Sequence, residues 1–278
     1  MPRPKLLAVD LDGTLLDHNG VPHVRDIEAL HRASREGIVV TIVTGRLYSG
    51  TRQSAEAVGI RGPVACVDGN HVVHTGTDTT LVHHGLERDH ALHLREILAR
   101  RGPASFLLSM SQIVHDESGS EFLPYMSKWS TDLRQAEWVP DDPSWDDDGA
   151  VTAVVSIGTE DQILSIRDDL VERVGDGMFL VVFQVSFGGH WALFARARHA
   201  DKGTALAWLA HHHGCTLAET VCVGDWINDI PMLRVAGRSY AMPHAPPEVK
   251  STASDVLPDS AAEQGAMTQV LSEAFGLL

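Results

Sequence analysis

Leu6-Leu7-Ala8-Val9 runs directly into Asp10-Leu11-Asp12-Gly13-Thr14, and this junction constrains the fold more than any other stretch. An apolar run that is continuous rather than alternating reads as a strand buried on both faces, as in a parallel sheet. It stops at two carboxylates spaced i, i+2, which extended backbone points to one side. The carboxyl end of a strand in an open α/β sheet is where ligands bind. Two acids this close repel each other, which calls for a hard cation such as Mg²⁺.

Three later segments also place polar residues at an element boundary. The apolar residues 38–43 stop at Thr44-Gly45-Arg46. Lys202-Gly203 opens a helical pattern through Ala205, Leu206, Leu209 and Ala210, with Asp201 placed to cap it. Val221-Cys222-Val223 stops at Gly224-Asp225-Trp226-Ile227-Asn228-Asp229. Singly, Thr44-Gly45 reads as an ordinary turn and Asp225 and Asp229 as loop acids. In this order the set resembles the four motifs of the haloacid dehalogenase-like superfamily, and more narrowly its Cof-type phosphatases. The specific marks are Gly-Asp-x-x-Asn-Asp-x-x-Met-Leu over residues 224–233, Lys202-Gly203 before it and Tyr240-Ala241-Met242 after it.

The resemblance implies an α/β fold: a Rossmannoid three-layer core with a parallel sheet, from residues 1–83 and 197–278. An inserted α/β cap of C2 type, residues 84–196, would cover the site and select the substrate. It implies a Mg²⁺-dependent phosphatase acting on a small phosphorylated metabolite, a sugar phosphate foremost. Asp10 would attack phosphorus and become an aspartyl-phosphate; Asp12 would protonate the leaving alcohol and then activate water. Mg²⁺ would take the Asp10 and Asp225 carboxylates and the Asp12 backbone carbonyl. Thr44, Gly45, Lys202 and Asn228 would hold the phosphoryl group, with Asp229 orienting Lys202 or a metal-bound water. Two departures from the family pattern stand out: Asp68-Gly69-Asn70, where Asn-Gly is usual, and Met242-Pro243-His244-Ala245, where Gly-Asn often follows Met. A phosphomutase-type isomerase and a non-enzymatic metabolite-binding protein on the same fold are the alternatives. Dehalogenase chemistry fits less well, because a halide leaves without the proton Asp12 would supply.

Composition narrows the partners. With 22 basic against 37 acidic residues, neither nucleic acid nor an anionic membrane surface is expected as the main partner. An anionic substrate then depends on local positive charge and metal. The chain is long enough to bury roughly three quarters of its unfolded surface, and a monomer or small homo-oligomer is expected. Cys66, Cys215 and Cys222 form no C-x-x-C pair and read as reduced thiols of a cytoplasmic protein. Residues 178–197 are apolar enough to raise the question of a membrane span, but Gln184, Gly188-Gly189 and His190 interrupt them as a turn between two strands.

Patterning between residues 84 and 196 is mixed α/β. Leu92, Ile97 and Leu98 mark one helix; Ile163, Ile166, Leu170 and Val174 mark another. The acidic run 141–148 lacks calcium-loop spacing and reads as a solvated loop. His211, His212 and His213 diverge on a helix and complement its C-terminal dipole rather than sharing a metal. Trp129, Trp138 and Trp145 either line a substrate cleft or pack the insert.

Overall fold

The run Leu6–Val9 forms a strand with all four residues buried. It is a central member of a five-stranded sheet ordered Asp255–Val256, Arg238–Ala241, Thr220–Gly224, Leu6–Val9, Val39–Ile42. Every neighbouring pair is parallel. From Leu6–Val9 the chain reaches Val39–Ile42 on one side and, much later, Thr220–Gly224 on the other. The strand order therefore reverses here, and the crevice beyond the carboxyl ends of such strands is where this architecture binds ligands.

The computed structural model describes residues 3–185 and 188–277. These divide into two units: the described residues of 1–45, 51–82 and 200–278 form the first, those of 46–50 and 83–199 the second. In the first unit, Leu6 and Ala8 meet Leu206, Leu209, Met232 and Leu233 from the helices Lys202–His212 and Ile230–Val235. The helix Val24–Arg35 buries Leu30 and Ala33. Its buried Asp26 accepts from the Thr268 N–H at 3.0 Å, near the start of the helix Ala266–Phe275. A parallel bridge from Val43 to Ala65 adds an antiparallel ribbon of Pro63–Cys66, His71–His74 and Thr79–His83.

The second unit is a six-stranded sheet ordered Met178–Gln184, Trp191–Ala197, Ala153–Gly158, Ala104–Leu108, Ile113–His115, Leu133–Gln135. The pairs are antiparallel except the last. Alternation sends Leu107, Val154, Leu193 and Ala195 to one face, where they pack with Leu94, Ile97, Leu98, Ile163, Ile166 and Leu170 of the helices Arg88–Arg101 and Glu160–Val174. Phe106 and Phe194 take the opposite face. There Trp129 meets Phe194 edge-on at 5.5 Å. The stretch 178–197 is thus largely a hairpin, with Gly188 and Gly189 both left-handed. Among the described residues no helix is long and apolar enough to cross a membrane.

In the acidic run Asp141, Asp146, Asp147 and Asp148 are exposed, as a solvated loop requires, and Asp142 is the exception. Asp142 is buried, accepts from the Ser144 N–H at 3.0 Å and pairs with Arg134 at 2.6 Å. These contacts hold its carboxyl below the usual range against the opposing effect of burial. Trp145 is fully buried in the second unit's core and donates its indole N–H to the Val139 carbonyl at 2.8 Å. It packs the unit rather than lining a cleft. The His run ends the helix Lys202–His212, with His212 stacked on Trp208 at 5.0 Å.

Trp145→Ala removes this indole together with its hydrogen bond. It is expected to destabilise the protein by about 3–5 kcal/mol, the range for large aromatic truncations in a core. Urea denaturation followed by circular dichroism measures this; a loss under about 1 kcal/mol would mean the site collapses around the cavity.

Candidate active site

The strand Leu6–Val9 ends one residue short of Asp10, and the chain then turns. Thr14 donates its N–H to the Leu11 carbonyl at 3.2 Å, and Leu16 donates to the same oxygen at 2.8 Å. The extended i, i+2 geometry therefore does not run through residues 10–12. Asp10 is buried while Asp12 is exposed. Gly13 is left-handed at φ +78°, and a Cβ there would lie 2.5 Å from Asp225 Oδ2. Only glycine permits both the turn and this approach.

Asp10 and Asp225 follow the adjacent strands Leu6–Val9 and Thr220–Gly224, whose pairing sets Val9 against Val223. Lys202 reaches Asp10 from the first turn of its helix. That start is fixed by a reciprocal cap: Thr204 donates its N–H to Asp201 Oδ1 at 2.8 Å, and Asp201 donates its N–H to Thr204 Oγ1 at 2.9 Å. Gly203 has no room for a side chain, since a Cβ would come within 2.8 Å of the Pro231 carbonyl oxygen.

Lys202 Nζ donates to Asp10 Oδ1 at 2.6 Å and to Asp229 Oδ1 at 2.7 Å, with Lys202 only 1% exposed and Asp229 fully buried. The other Asp229 oxygen accepts from the N–H groups of Asp225 and Trp226, both at 2.9 Å. Asp225 accepts from the Thr14 hydroxyl at 3.0 Å, and its second oxygen lies 3.3 Å from His244 Nε2. A carboxylate only accepts, so that nitrogen carries the proton.

One buried ammonium thus pairs with two buried carboxylates, and the buried Asp225 lies beside these acids. Burial opposes the charge on Lys202, but Asp10, Asp229 and Asp68 outweigh it and push its pKa up. Burial pushes the Asp10 carboxyl well above the carboxylate range; Lys202 opposes this, while Asp229 and Asp225 add to it. Asp229 is raised chiefly by burial as well. The hydrogen bond to Asp225 pushes His244 up against burial.

Asp10, Asp225 and Asp229 each offer an oxygen, all within 4.8 Å of one another. An all-oxygen, net-negative donor set suits a hard divalent cation. Asp229 is already occupied on both oxygens. Asp225 is likewise contacted on both of its oxygens, by the Thr14 hydroxyl and by His244.

The expected phosphate-holding residues also converge within the first unit. Thr44 is buried and donates its N–H to the Ala65 carbonyl at 2.9 Å. Asn228 does not stand alone: its Nδ2 donates to Asp68 Oδ1 at 2.9 Å. A Cβ built on Gly45 would lie 3.6 Å from that Asp68 oxygen and 3.8 Å from Asn228 Nδ2. Val67 and Asp68 are left-handed at φ 48° and 53°. Conformations of this kind cost about 1–3 kcal/mol each and persist where surrounding structure holds them. Thr14 was not among the expected site residues, although the Asp-x-Asp-Gly-Thr run contains it. Asp68 and His244 were visible only as departures from a pattern.

Comparison with known proteins gives the same picture. The chain matches the sequence family described as haloacid dehalogenase-like hydrolase over residues 7–270. It is 31% identical over 264 residues to YxeH of Bacillus subtilis (strain 168), covering 90% of this chain and 91% of that protein. It is 26% identical over 267 residues to the pyridoxal phosphate phosphatase YbhA of Escherichia coli (strain K12), covering 92% of this chain and 94% of YbhA. The crystal structure of a haloacid dehalogenase-like hydrolase from Bacteroides thetaiotaomicron is similar at a TM-score of 0.82 and 21% identity, covering 96% of this chain and 100% of that one. That likeness shows the fold.

Lys202→Met keeps the aliphatic stem and removes the cation. It is expected to lower stability at pH 7 by about 3–5 kcal/mol, the scale for breaking a buried pair from one side. Asp10 and Asp229 then stay buried without a cation, so their folded-state pKa values rise further above the unfolded ones. Folding favours the protonated form of such a group, and the variant should regain stability as pH falls through that raised value. Urea denaturation across this pH range measures both effects. A midpoint equal to the parent's at pH 7 would show that the ammonium does not hold the acids.

Proposed function

The chain belongs to the haloacid dehalogenase-like hydrolases, and from that premise we propose a Mg²⁺-dependent phosphatase that hydrolyses a small phosphorylated metabolite through an aspartyl-phosphate on Asp10. The observation that carries this reading is the Lys202 ammonium, held 2.6 Å from Asp10 at the carboxyl edge of the parallel sheet. A phosphate ester is attacked by a carboxylate only where positive charge offsets its own. Lys202 supplies one such charge from within the chain.

The residues divide the work. Asp10 Oδ attacks phosphorus, and the bond from phosphorus to the ester oxygen breaks. Asp12, exposed beside the buried Asp10, passes its proton to that oxygen, and the alcohol leaves. The Asp12 carboxylate then takes a proton from water. The hydroxide oxygen bonds to phosphorus, and cleavage of the phosphorus–Asp10 bond restores the carboxylate and releases inorganic phosphate. Thr44, the Gly45 backbone, Lys202 and Asn228 hold the phosphoryl oxygens, and Asp229 fixes Lys202. Asp10, Asp225 and the Asp12 carbonyl would hold Mg²⁺, which when bound supplies Lewis-acid polarisation and neutralises charge.

Support for the substrate class comes from the relatives, YbhA being named a pyridoxal phosphate phosphatase, and from the Cof-type resemblance, which favours a sugar phosphate. The second unit would supply selectivity, with Trp129 among the residues that read the leaving group.

Asp10→Asn should keep the fold and lose turnover of p-nitrophenyl phosphate by roughly 10⁴-fold or more, the scale of removing a covalent nucleophile. Chelation should abolish the parent's activity and Mg²⁺ restore it, whereas Ca²⁺, with looser and higher coordination, should support little. Activity of Asp10→Asn within tenfold of the parent, or full turnover in metal-free protein, would sink the reading.

Selectivity is tested by measuring kcat/KM over a panel of phosphorylated sugars and pyridoxal phosphate. Trp129→Ala should reorder the panel while changing p-nitrophenyl phosphate turnover only a few-fold. An unaltered ranking would assign Trp129 to packing.

A further inference from the structure

We propose that Asp68 is a positioning residue of the phosphate site, whose carboxylate selects which end of the Asn228 carboxamide is presented beside Gly45. The inference rests on the phosphatase reading and deepens it.

A carboxamide has two ends of nearly equal size and opposite chemistry. A phosphate oxygen needs the donor end; the carbonyl end repels it. Nothing in an asparagine's own shape chooses between them. An ionised carboxylate chooses, because it only accepts. Asn228 Nδ2 donates to Asp68 Oδ1 at 2.9 Å, which places the nitrogen on the Asp68 side. That nitrogen carries two hydrogens, so one remains for a further acceptor.

The position of this nitrogen matters. A Cβ on Gly45 would lie 3.8 Å from Asn228 Nδ2 and 3.6 Å from Asp68 Oδ1. The pair therefore lies over the residue that follows Thr44, at the end of the strand next to Asp10's own. Asp68 is itself held rigidly. It is 2% exposed, and its N–H donates to the Thr44 carbonyl at 2.9 Å. Three successive residues are left-handed, Val67 at φ 48°, Asp68 at 53° and Gly69 at 99°. The Val67 carbonyl within this turn accepts from both the N–H and Nδ2 of Asn70, each at 3.1 Å.

An acid beside a phosphate site is unfavourable in itself. Lys202, whose ammonium is stabilised in part by Asp68, offsets that charge. An asparagine at position 68 could meet Asn228 with either end; the acid removes this ambiguity.

The test is a double-mutant cycle on the full chain. Asp68→Gly is the variant, because glycine accepts the left-handed backbone that alanine would strain. Asp68→Gly and Asn228→Ala should each lower kcat/KM for p-nitrophenyl phosphate about tenfold or more, the scale of one hydrogen bond to a charged group. Each should weaken competitive inhibition by inorganic phosphate by a similar factor, with circular dichroism unchanged. Asp68→Gly combined with Asn228→Ala should fall within about twofold of Asn228→Ala alone, since the first residue acts through the second. Asp68→Asn, whose backbone tolerates this conformation but whose carboxamide can meet Asn228 with either end, should recover only part of the loss. Losses that multiply, or Asp68→Gly indistinguishable from the parent in both readouts, would overturn the inference while leaving the phosphatase reading intact. A folded parent that neither turns over the ester nor binds phosphate would overturn both.

Discussion

Lys202 sits with its ammonium 2.6 Å from Asp10 and 2.7 Å from Asp229, almost wholly out of water. Each of these charges is costly to bury alone, and they are tolerable together because each satisfies another. The local architecture follows from that requirement. Two adjacent parallel strands end side by side to place Asp10 and Asp225. The reciprocal cap between Asp201 and Thr204 starts the Lys202 helix at the necessary residue. Asp229 turns its second oxygen onto the N–H groups of Asp225 and Trp226, so the residue that holds the lysine also braces the loop carrying the third acid. One cation against three acids leaves negative charge over. That surplus opposes folding, and the three carboxylates are close enough that they could hold a metal ion.

The sheet and the inner polar groups were legible in the sequence because each rests on short-range chemistry. An apolar run broken by an acid marks a buried strand ending at a polar edge, and Leu6–Val9 and Thr220–Gly224 are such strands. The helical stripe at Ile163, Ile166 and Leu170 is buried as its 3.6-residue period requires. Local geometry was harder to read. Extended backbone was expected through Asp10 and Asp12, but the chain turns at Leu11, because the Gly13 conformation and the Leu11 carbonyl bonds are contacts that periodicity does not encode. The acidic run 141–148 appeared solvated by composition. Asp142 is buried because Arg134 and the Ser144 N–H satisfy it, and partners across a fold leave no trace in local composition.

The outer polar shell shows the same limit from the other side. Asp68 and His244 were noticeable in the sequence only as residues out of pattern, without a role attached. Their partners lie far along the chain: Asn228 for Asp68, and Asp225 for His244. In both cases the unusual residue meets a polar side chain, although Asp68 is buried and His244 is exposed. The strained turn at Val67 and Asp68 is maintained by backbone bonds to Thr44 and from Asn70. Such strain is retained where a specific placement is worth its energy.

Every side chain of the buried charge cluster, together with Asp68, Asn228 and His244, belongs to the first unit. The second unit has its own core, built around Trp145, Leu107, Ile163 and Leu193. Substitutions in two cores that have no side chain in common are expected to add nearly independently. On the proposed phosphatase reading, this division would let the residues that meet the phosphoryl group stay as they are while residues of the second unit change with the ester.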